Sequence, residues 1–296
     1  MAFQTPRLSV IIASYNSENV IEGCLESLKN QKTDQPFEII VVDSSLNGLA
    51  TLIRNRFPDV RLYRFPERKF CGNARNFGIS VARGEIIAFI DADCRADRNW
   101  ANQILKAHQF PYLAIGGAIG NANPQSVVSW ASYFCEFSQW MPGFCPRDMV
   151  DIAGANMSYK RRVFEEHGHF IEGTYSSDTE FHWRLERDGH LLRFVPSMLV
   201  FHHNIDQLKR FLAHEFEHGR SFARVRTKSQ DFSELRRLVY GTFSFLIPGW
   251  LFLKIGLRNF KNSTYLTHLL NAWPFLMLGL IAWSLGECTG YLRRSL

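Results

Sequence analysis

The chain has 296 residues, 46% hydrophobic and 21% charged, which suffices for one large core plus an appendage and shows no internal repeat or low-complexity tract. Six scattered cysteines (Cys24, Cys71, Cys94, Cys135, Cys145, Cys288) lack metal-cluster spacing, and with no leader read in Met1-Ala2-Phe3-Gln4 they are expected as reduced cytosolic thiols. A net charge of +6 and a pI near 9.1 suit an anionic membrane surface and a phosphorylated ligand, and since no recognition motif accompanies the charge, nucleic acid is not an expected partner.

In chain order, the apolar run Leu8-Ser9-Val10-Ile11-Ile12-Ala13 predicts a strand that stops at Ser14-Tyr15-Asn16-Ser17, where polar residues can cap a helix through Leu28. Glu38-Ile39-Ile40-Val41-Val42 repeats the device and ends at Asp43-Ser44-Ser45. Val60 to Arg64 predicts a third strand, a helix follows over 73–83, and Gly84 returns the chain to a fourth strand beginning at Glu85. Strands alternating with helices predict an α/β fold with a mostly parallel sheet, whose ligand crevice opens at the carboxyl ends of the strands. Tyr15, Asp43, Asp91 and Asp93 all fall at such ends.

Asp91-Ala92-Asp93 closes the buried run Ile86-Ile87-Ala88-Phe89-Ile90 with two carboxylates. Hard oxygen ligands of this kind bind Mg²⁺ or Mn²⁺, which take one or two protein carboxylates and complete their shell with substrate phosphates. A nucleotide diphosphate would do so. The alternative is that the two acids cap a helix.

Several further segments lie in a telling order: Ser9 to Asn16, Val41-Val42-Asp43-Ser44-Ser45, Asn73-Ala74-Arg75-Asn76-Phe77-Gly78-Ile79 with Ala82-Arg83-Gly84-Glu85, Gly154 to Arg161, Ser177-Asp178-Thr179-Glu180, Arg184-Leu185, Gly189-His190 and Val200-Phe201-His202. Over roughly residues 7 to 205 this set resembles the family 2 glycosyltransferases of the GT-A fold. The resemblance implies inverting transfer of a sugar from a nucleotide-diphosphate sugar, UDP or GDP being the usual carriers, to a hydroxyl or phosphate of a saccharide or lipid-linked acceptor at the cytosolic membrane face. It implies that Asp93 and His202 hold Mn²⁺ or Mg²⁺, and that Asp91, Asp43, Ala13 and Tyr15 contact the donor. Arg75 would meet phosphate oxygens with its planar fork, or else lie on a solvated helix face. Asp43 could instead cap a helix. Asn156 would lie on the acceptor side, and Asp178 would be the base that takes the acceptor proton. The family's Glu-Asp reads Ser177-Asp178 here, which leaves open whether Glu180 supplies a second acid; two residues apart on a helix, Asp178 and Glu180 do not share a face. A sugar-nucleotide-binding protein without turnover is the non-enzymatic alternative.

The aromatic segment from Gly120 to Asp151 predicts either an acceptor-side lid carrying Trp140 or ordinary core. His214-Glu215-Phe216-Glu217-His218 fits H-E-x-x-H on a predicted helix from Leu208 to Arg226, the pattern of a zinc metalloprotease with Glu215 as base. No third ligand is assignable, since no histidine follows until His268, and an amphipathic helix accounts for the same letters.

A polar linker, Thr227 to Asp231, divides an expected catalytic domain, 1–226, from a helical, membrane-associated region, 227–296. Its two apolar stretches, 238–253 and 269–286, fall a little short of a bilayer span and contain Pro248 and Pro274. Arg236 and Arg237 precede the first, Lys254, Arg258 and Lys261 lie between them, and Arg293 and Arg294 follow the second. A spanning hairpin would put the middle cluster on the wrong side, so helices lying in the cytosolic interface, with Trp250, Trp273, Trp283 and Tyr291 at home there, are expected. Packing on the catalytic domain or homo-oligomer formation is the soluble alternative.

Overall fold

The structure, a computed structural model, describes residues 5–46 and 48–293. The start at Met1-Ala2-Phe3-Gln4 and the basic Arg294 lie outside the described residues. In chain order the elements are β1 (Leu8–Ser14), α1 (Ile21–Lys29), β2 (Phe37–Asp43), α2 (Leu49–Arg56), β3 (Arg61–Arg64), α3 (Cys71–Val81), β4 (Ile86–Ile90), β5 (Cys94–Ala96), α4 (Trp100–Ala107), β6 (Ala114–Asn121), α5 (Val127–Phe137), β7 (Arg147–Met149), β8 (Asn156–Lys160), α6 (Arg162–His167), α7 (Ser177–Arg187) and β9 (Leu192–His202). Four further helices follow: α8 (Leu208–Ser229), α9 (Glu234–Thr242), α10 (Ile247–Lys261) and α11 (Leu266–Leu292).

These elements form two compact units. The first holds the chain through Ala122, Phe144–Gly173 and Ser177–His202; the second holds Asn123–Gly143, Thr174–Ser176 and the chain from His203. The division therefore falls at 202 and not at the polar linker near 226. The reason is the buried stripe of α8: Phe211 meets α11 at Gly279 and Ala223 meets it at Gly290, so α8 packs with the helices that follow it.

The first unit is an α/β sheet in the order β3-β2-β1-β4-β8-β6-β9-β5, with β7 joined to β9. The strands β3, β2, β1 and β4 run parallel, as alternating strands and helices require. Beyond β4 the sheet becomes mixed, because β8 is antiparallel to both of its neighbours and β5 and β7 are antiparallel to β9. Every residue of β4 is buried, which matches its unbroken apolar run and a sheet covered on both faces. Helix α3 lies close on β1 because Gly78 has no Cβ; one built there would strike Ile11. A core of aromatic rings, Phe89, Tyr159, Phe164, Phe170 and Phe181, packs edge to face behind the strand ends.

The second unit is helical. Helix α5 starts at Ser126, whose hydroxyl accepts from Ser129 N, and buries Trp130, Tyr133, Phe134 and Phe137. The aromatic residues from Trp130 to Trp140 are thus packed core, not an exposed lid; Trp130 stacks on His268 with centroids 4.0 Å apart. Helices α9 and α10 are joined by a 3₁₀ turn, Phe243–Leu246, into a run of 28 residues, and a second run covers Ser263–Leu292. Both are long and apolar enough to cross a membrane. They exceed the lengths expected from the sequence because neither proline interrupts them. Pro248 sits in the first turn of α10, where its missing N–H has no partner to lose, and Pro274 is accommodated inside α11.

Candidate active site

The carboxyl ends of β1, β2 and β4 bring the expected donor-side residues to one edge of the first unit. After β4, Asp91-Ala92-Asp93 does not cap a helix. It turns directly into β5, with Cys94 N donating to Asp91 O at 3.0 Å. Both carboxylates keep about a third of their side-chain surface in water, 33% for Asp91 and 37% for Asp93, so they are open to a ligand.

Arg75 stands behind them. It is buried, with 5% of its side chain exposed, and is not on a solvated helix face. Its guanidinium reaches Asp91 Oδ1 at 3.3 Å, Gly154 O at 3.1 Å and Asp178 Oδ2 at 3.8 Å, over the faces of Phe89 and Phe170. Its fixed fork thereby spaces the donor-side Asp91 and the expected base Asp178, a geometric task Lys could not perform. Asp178 lies in the first turn of α7, where acid is favoured by the helix dipole, and its Oδ1 accepts from Thr179 N at 3.0 Å.

The position of α7 follows from the Asn-Ala-Arg-Asn run of α3. Asn73 and Asn76 bind the preceding loop through Glu172, Gly173 N and both backbone groups of Phe170. On the other flank a buried chain runs from Asp151 Oδ1 to His182 Nδ1 at 2.6 Å and from His182 Nε2 to Tyr159 Oη at 2.6 Å. His182 lies one turn beyond Asp178 on α7. Burial pushes the Asp151 carboxyl above its usual range, and the bond to His182 opposes that rise. Nothing in the local sequence joined Asp151, His182 and Tyr159, because their sequence separations hide the contact.

Gly154 was recognisable as a letter of a motif, and its role here is steric. A Cβ at 154 would overlap Asp178 Oδ2 and press on Arg75 Nη2. Gly154→Ala is therefore expected to push the Asp178 carboxylate aside and lower kcat by about 100-fold, the order produced by a displacement near 1 Å. Nucleotide affinity should stay near that of the parent. Equal activity of the two proteins in a steady-state assay would remove this role.

His202 ends β9, whose antiparallel pairing with β5 sets it opposite Cys94. Its Nε2 lies 3.4 Å from Asp93 Oδ1, and that buried oxygen accepts no hydrogen bond among the described residues. An unspent carboxylate oxygen beside an imidazole nitrogen is a donor pair that fits Mn²⁺ and, less well, Mg²⁺. Cys94 completes the same cluster by distance, but burial, with the charges of Asp93 and Asp91 adding to it, pushes its thiol far up, so it stays protonated and is no hard-metal ligand.

At the end of β1, Ala13 is partly buried against the core and Tyr15 is exposed, with the Arg68 guanidinium 4.7 Å from its ring. Asp43 is fully buried and does not cap a helix. Its Oδ1 accepts from Ser45 Oγ at 2.7 Å, Ser14 Oγ at 3.1 Å and Ser45 N at 3.2 Å; Oδ2 accepts no hydrogen bond among the described residues and lies 3.7 Å from Arg64 Nε.

Two expectations, for Asn156 and Trp140, do not survive in the form given above. Asn156 is fully buried and its amide is spent inside the sheet, accepting from Trp100 Nε1 and donating to Ala118 O and Met198 O, so it packs the core and does not face an acceptor. Trp140 is buried in the helical unit. Glu180 is also buried and is held by Arg184 Nε at 3.1 Å, which leaves Asp178 without a second acid from this helix. The protease reading of H-E-x-x-H fails at Glu215: the residue that would activate water is 1% exposed.

Residues 9–168, more than half of the chain, match the family model described as Glycosyl transferase family 2. The chain belongs to this family. Among curated family relatives, EpsH of Bacillus subtilis, provisionally named a glycosyltransferase, is 30% identical over 236 residues, 76% of this chain and 60% of that protein. The pre-mycofactocin glycosyltransferase of Mycobacterium tuberculosis is 24% identical over 261 residues, 84% of this chain and 53% of that one. The chain thus spans little more than half the length of these relatives. Its fold matches the Pyrobaculum calidifontis mannosyltransferase PcManGT, solved with GDP-Man and Mn²⁺, at a TM-score of 0.64 and 19% identity, covering 96% of this chain and 88% of that one. It also matches residues 1–349 of S. aureus TarS, solved with UDP-GlcNAc, at a TM-score of 0.56 and 15% identity, covering 96% and 91%. The GT-A-type α/β architecture expected from the sequence is therefore the family's own.

Proposed function

We propose that the protein transfers a sugar, with inversion, from a nucleotide-diphosphate sugar to an acceptor hydroxyl. The observation that carries this reading is the buried Arg75 set against Asp91 and Asp178, with Asp93, two residues on from Asp91, paired to His202. Asp178 takes the proton of the acceptor hydroxyl, whose oxygen bonds to the anomeric carbon as the bond from that carbon to the diphosphate breaks. Asp93 and His202 would hold a divalent ion, which when bound would offset the charge developing on the leaving diphosphate. Ala13, Tyr15 and Asp43 line the nucleoside end and Asp91 the sugar or ribose. UDP and GDP are the first carriers to test, since similar folds have been solved with UDP-GlcNAc and GDP-Man. Saccharides and lipid-linked saccharides are the acceptors that suit the apolar helices.

Calorimetric titration of nucleotide diphosphates in the presence of Mn²⁺ tests the donor site. Metal-dependent binding by the parent protein that is lost in Asp93→Ala is the expected result. If no nucleotide diphosphate binds the parent, the transfer reading fails.

Association with the cytosolic face of an anionic membrane is the second part of the proposal. The exposed apolar side chains Leu235, Phe243, Phe245, Leu246, Trp250 and Phe260 line the α9–α10 run. Helix α11 lies against α8, which carries Arg220, Glu217 and Arg226 alongside it; Gly286 meets Phe216 O and Gly290 meets Arg220 O. Charges running beside α11 are costly in hydrocarbon, which favours helices lying in the interface over a spanning hairpin. The protein is expected to float with phosphatidylglycerol vesicles and to be released by alkaline carbonate. Retention after carbonate would mean that the helices span.

A further inference from the structure

The histidines of H-E-x-x-H are not used by the transfer reaction, and the partner missing from the sequence pattern comes from another helix. His214 and His218 stand one turn apart on α8. Glu136 of α5 places Oε1 3.6 Å from His214 Nε2, and one ligand atom from each of Glu136, His214 and His218 lies within 4.8 Å of the others. All three residues are partly exposed, so an ion has a path to them. Ser132, one turn before Glu136, donates its hydroxyl to Glu136 Oε1 at 3.3 Å, an orienting bond of the kind that supports ligating carboxylates. Trp283 of α11 lies against the His218 ring with centroids 4.9 Å apart and limits its rotation.

Glu215 is fully buried beside the cluster, and its Oε1 accepts no hydrogen bond among the described residues. Among the described residues neither Glu136 nor Glu215 has a lysine or arginine within ion-pair distance.

We propose that Glu136, His214 and His218 form a zinc site that ties α5 to α8, separate from the Asp93–His202 pair. Two imidazole nitrogens and a carboxylate oxygen are a donor set suited to Zn²⁺, with water in the remaining tetrahedral position. The site is structural. Its glutamate ligand comes from α5, and the motif's own Glu215 is buried and does not face a water-filled cleft.

The test uses the full chain carrying Asp93→Ala, so that the other cluster does not compete for metal. After equilibrium dialysis against Zn²⁺ and removal of free metal, elemental analysis should find one equivalent of zinc, and a further His214→Ala or His218→Ala change should reduce it to none. Glu136→Gln keeps the size and the Ser132 bond and should weaken zinc binding by about 10-fold or more. Far-ultraviolet circular dichroism checks that each variant is folded. Because a variant could misfold, Co²⁺ is also titrated into the Asp93→Ala chain itself, where tetrahedral visible bands that Zn²⁺ abolishes are expected. No zinc uptake together with no cobalt spectrum would reduce the cluster to a His214–Glu136 ion pair and overturn the proposal. Undiminished zinc in folded His214→Ala and His218→Ala chains would overturn it as well.

Discussion

Asp178→Asn is expected to lower kcat by about 10²- to 10⁴-fold, the range lost with a general base, while nucleotide affinity stays within a few-fold of the parent. The substitution keeps the side chain's size and an oxygen that can accept from Thr179 N, so the first turn of α7 is preserved. What it removes is the site that receives the acceptor proton. The split between a large loss in kcat and a small change in donor affinity separates this role from a packing role, which would weaken both. It also separates an enzyme from a protein that binds sugar nucleotides without turnover. Activity of Asp178→Asn close to that of the parent would assign the base elsewhere, and Glu180 is not available for it because Arg184 holds it in a buried pair.

Arg75→Met should damage both stability and chemistry. The guanidinium is the buried cation facing Asp91 and Asp178, and breaking a buried pair by removing one partner costs about 3–5 kcal/mol. Asp91 keeps a third of its surface in water, so the lower end, about 3 kcal/mol, is expected. In a protein of this size that lowers the thermal midpoint by about 6–12 °C. Arg75→Lys restores a charge but not the fork that reaches Gly154 O and both carboxylates. It should therefore recover part of the stability and little of the activity. Thermal melts and steady-state rates on both variants check this, and full activity of Arg75→Lys would show that charge alone is required.

These expectations rest on features that were unequally legible in the chain. Most of the parallel half of the sheet was open to reading because β1, β2 and β4 are apolar runs that end in a polar or acidic stop, a local pattern with a period of its own. Arg75 was visible as part of Asn-Ala-Arg-Asn, yet its partners Asp91, Gly154 and Asp178 are 16, 79 and 103 positions away along the chain. No local pattern distinguishes a guanidinium held by two carboxylates from one reaching for phosphate. Asn156 misled for the same reason: a motif letter says that a residue is needed, and only packing says whether it is needed by the ligand or by the core.

By itself the sequence determined the α/β class, the order of strands and helices, and the acid at the ends of β2 and β4, since hydrophobic period and strand termination are properties of neighbouring residues. Tertiary structure alone decided which distant groups meet. The pairing of β5 with β9 brings His202 to Asp93, the loop tied down by Asn73 and Asn76 sets Asp178 against Arg75, and the packing of the helical unit sets Glu136 beside His214. It also decided where the chain divides, because α8 hides its apolar stripe against α11 and so belongs with the helices that follow it. Such contacts are chosen by the burial of whole faces, a free energy summed over many residues that no short stretch of sequence records.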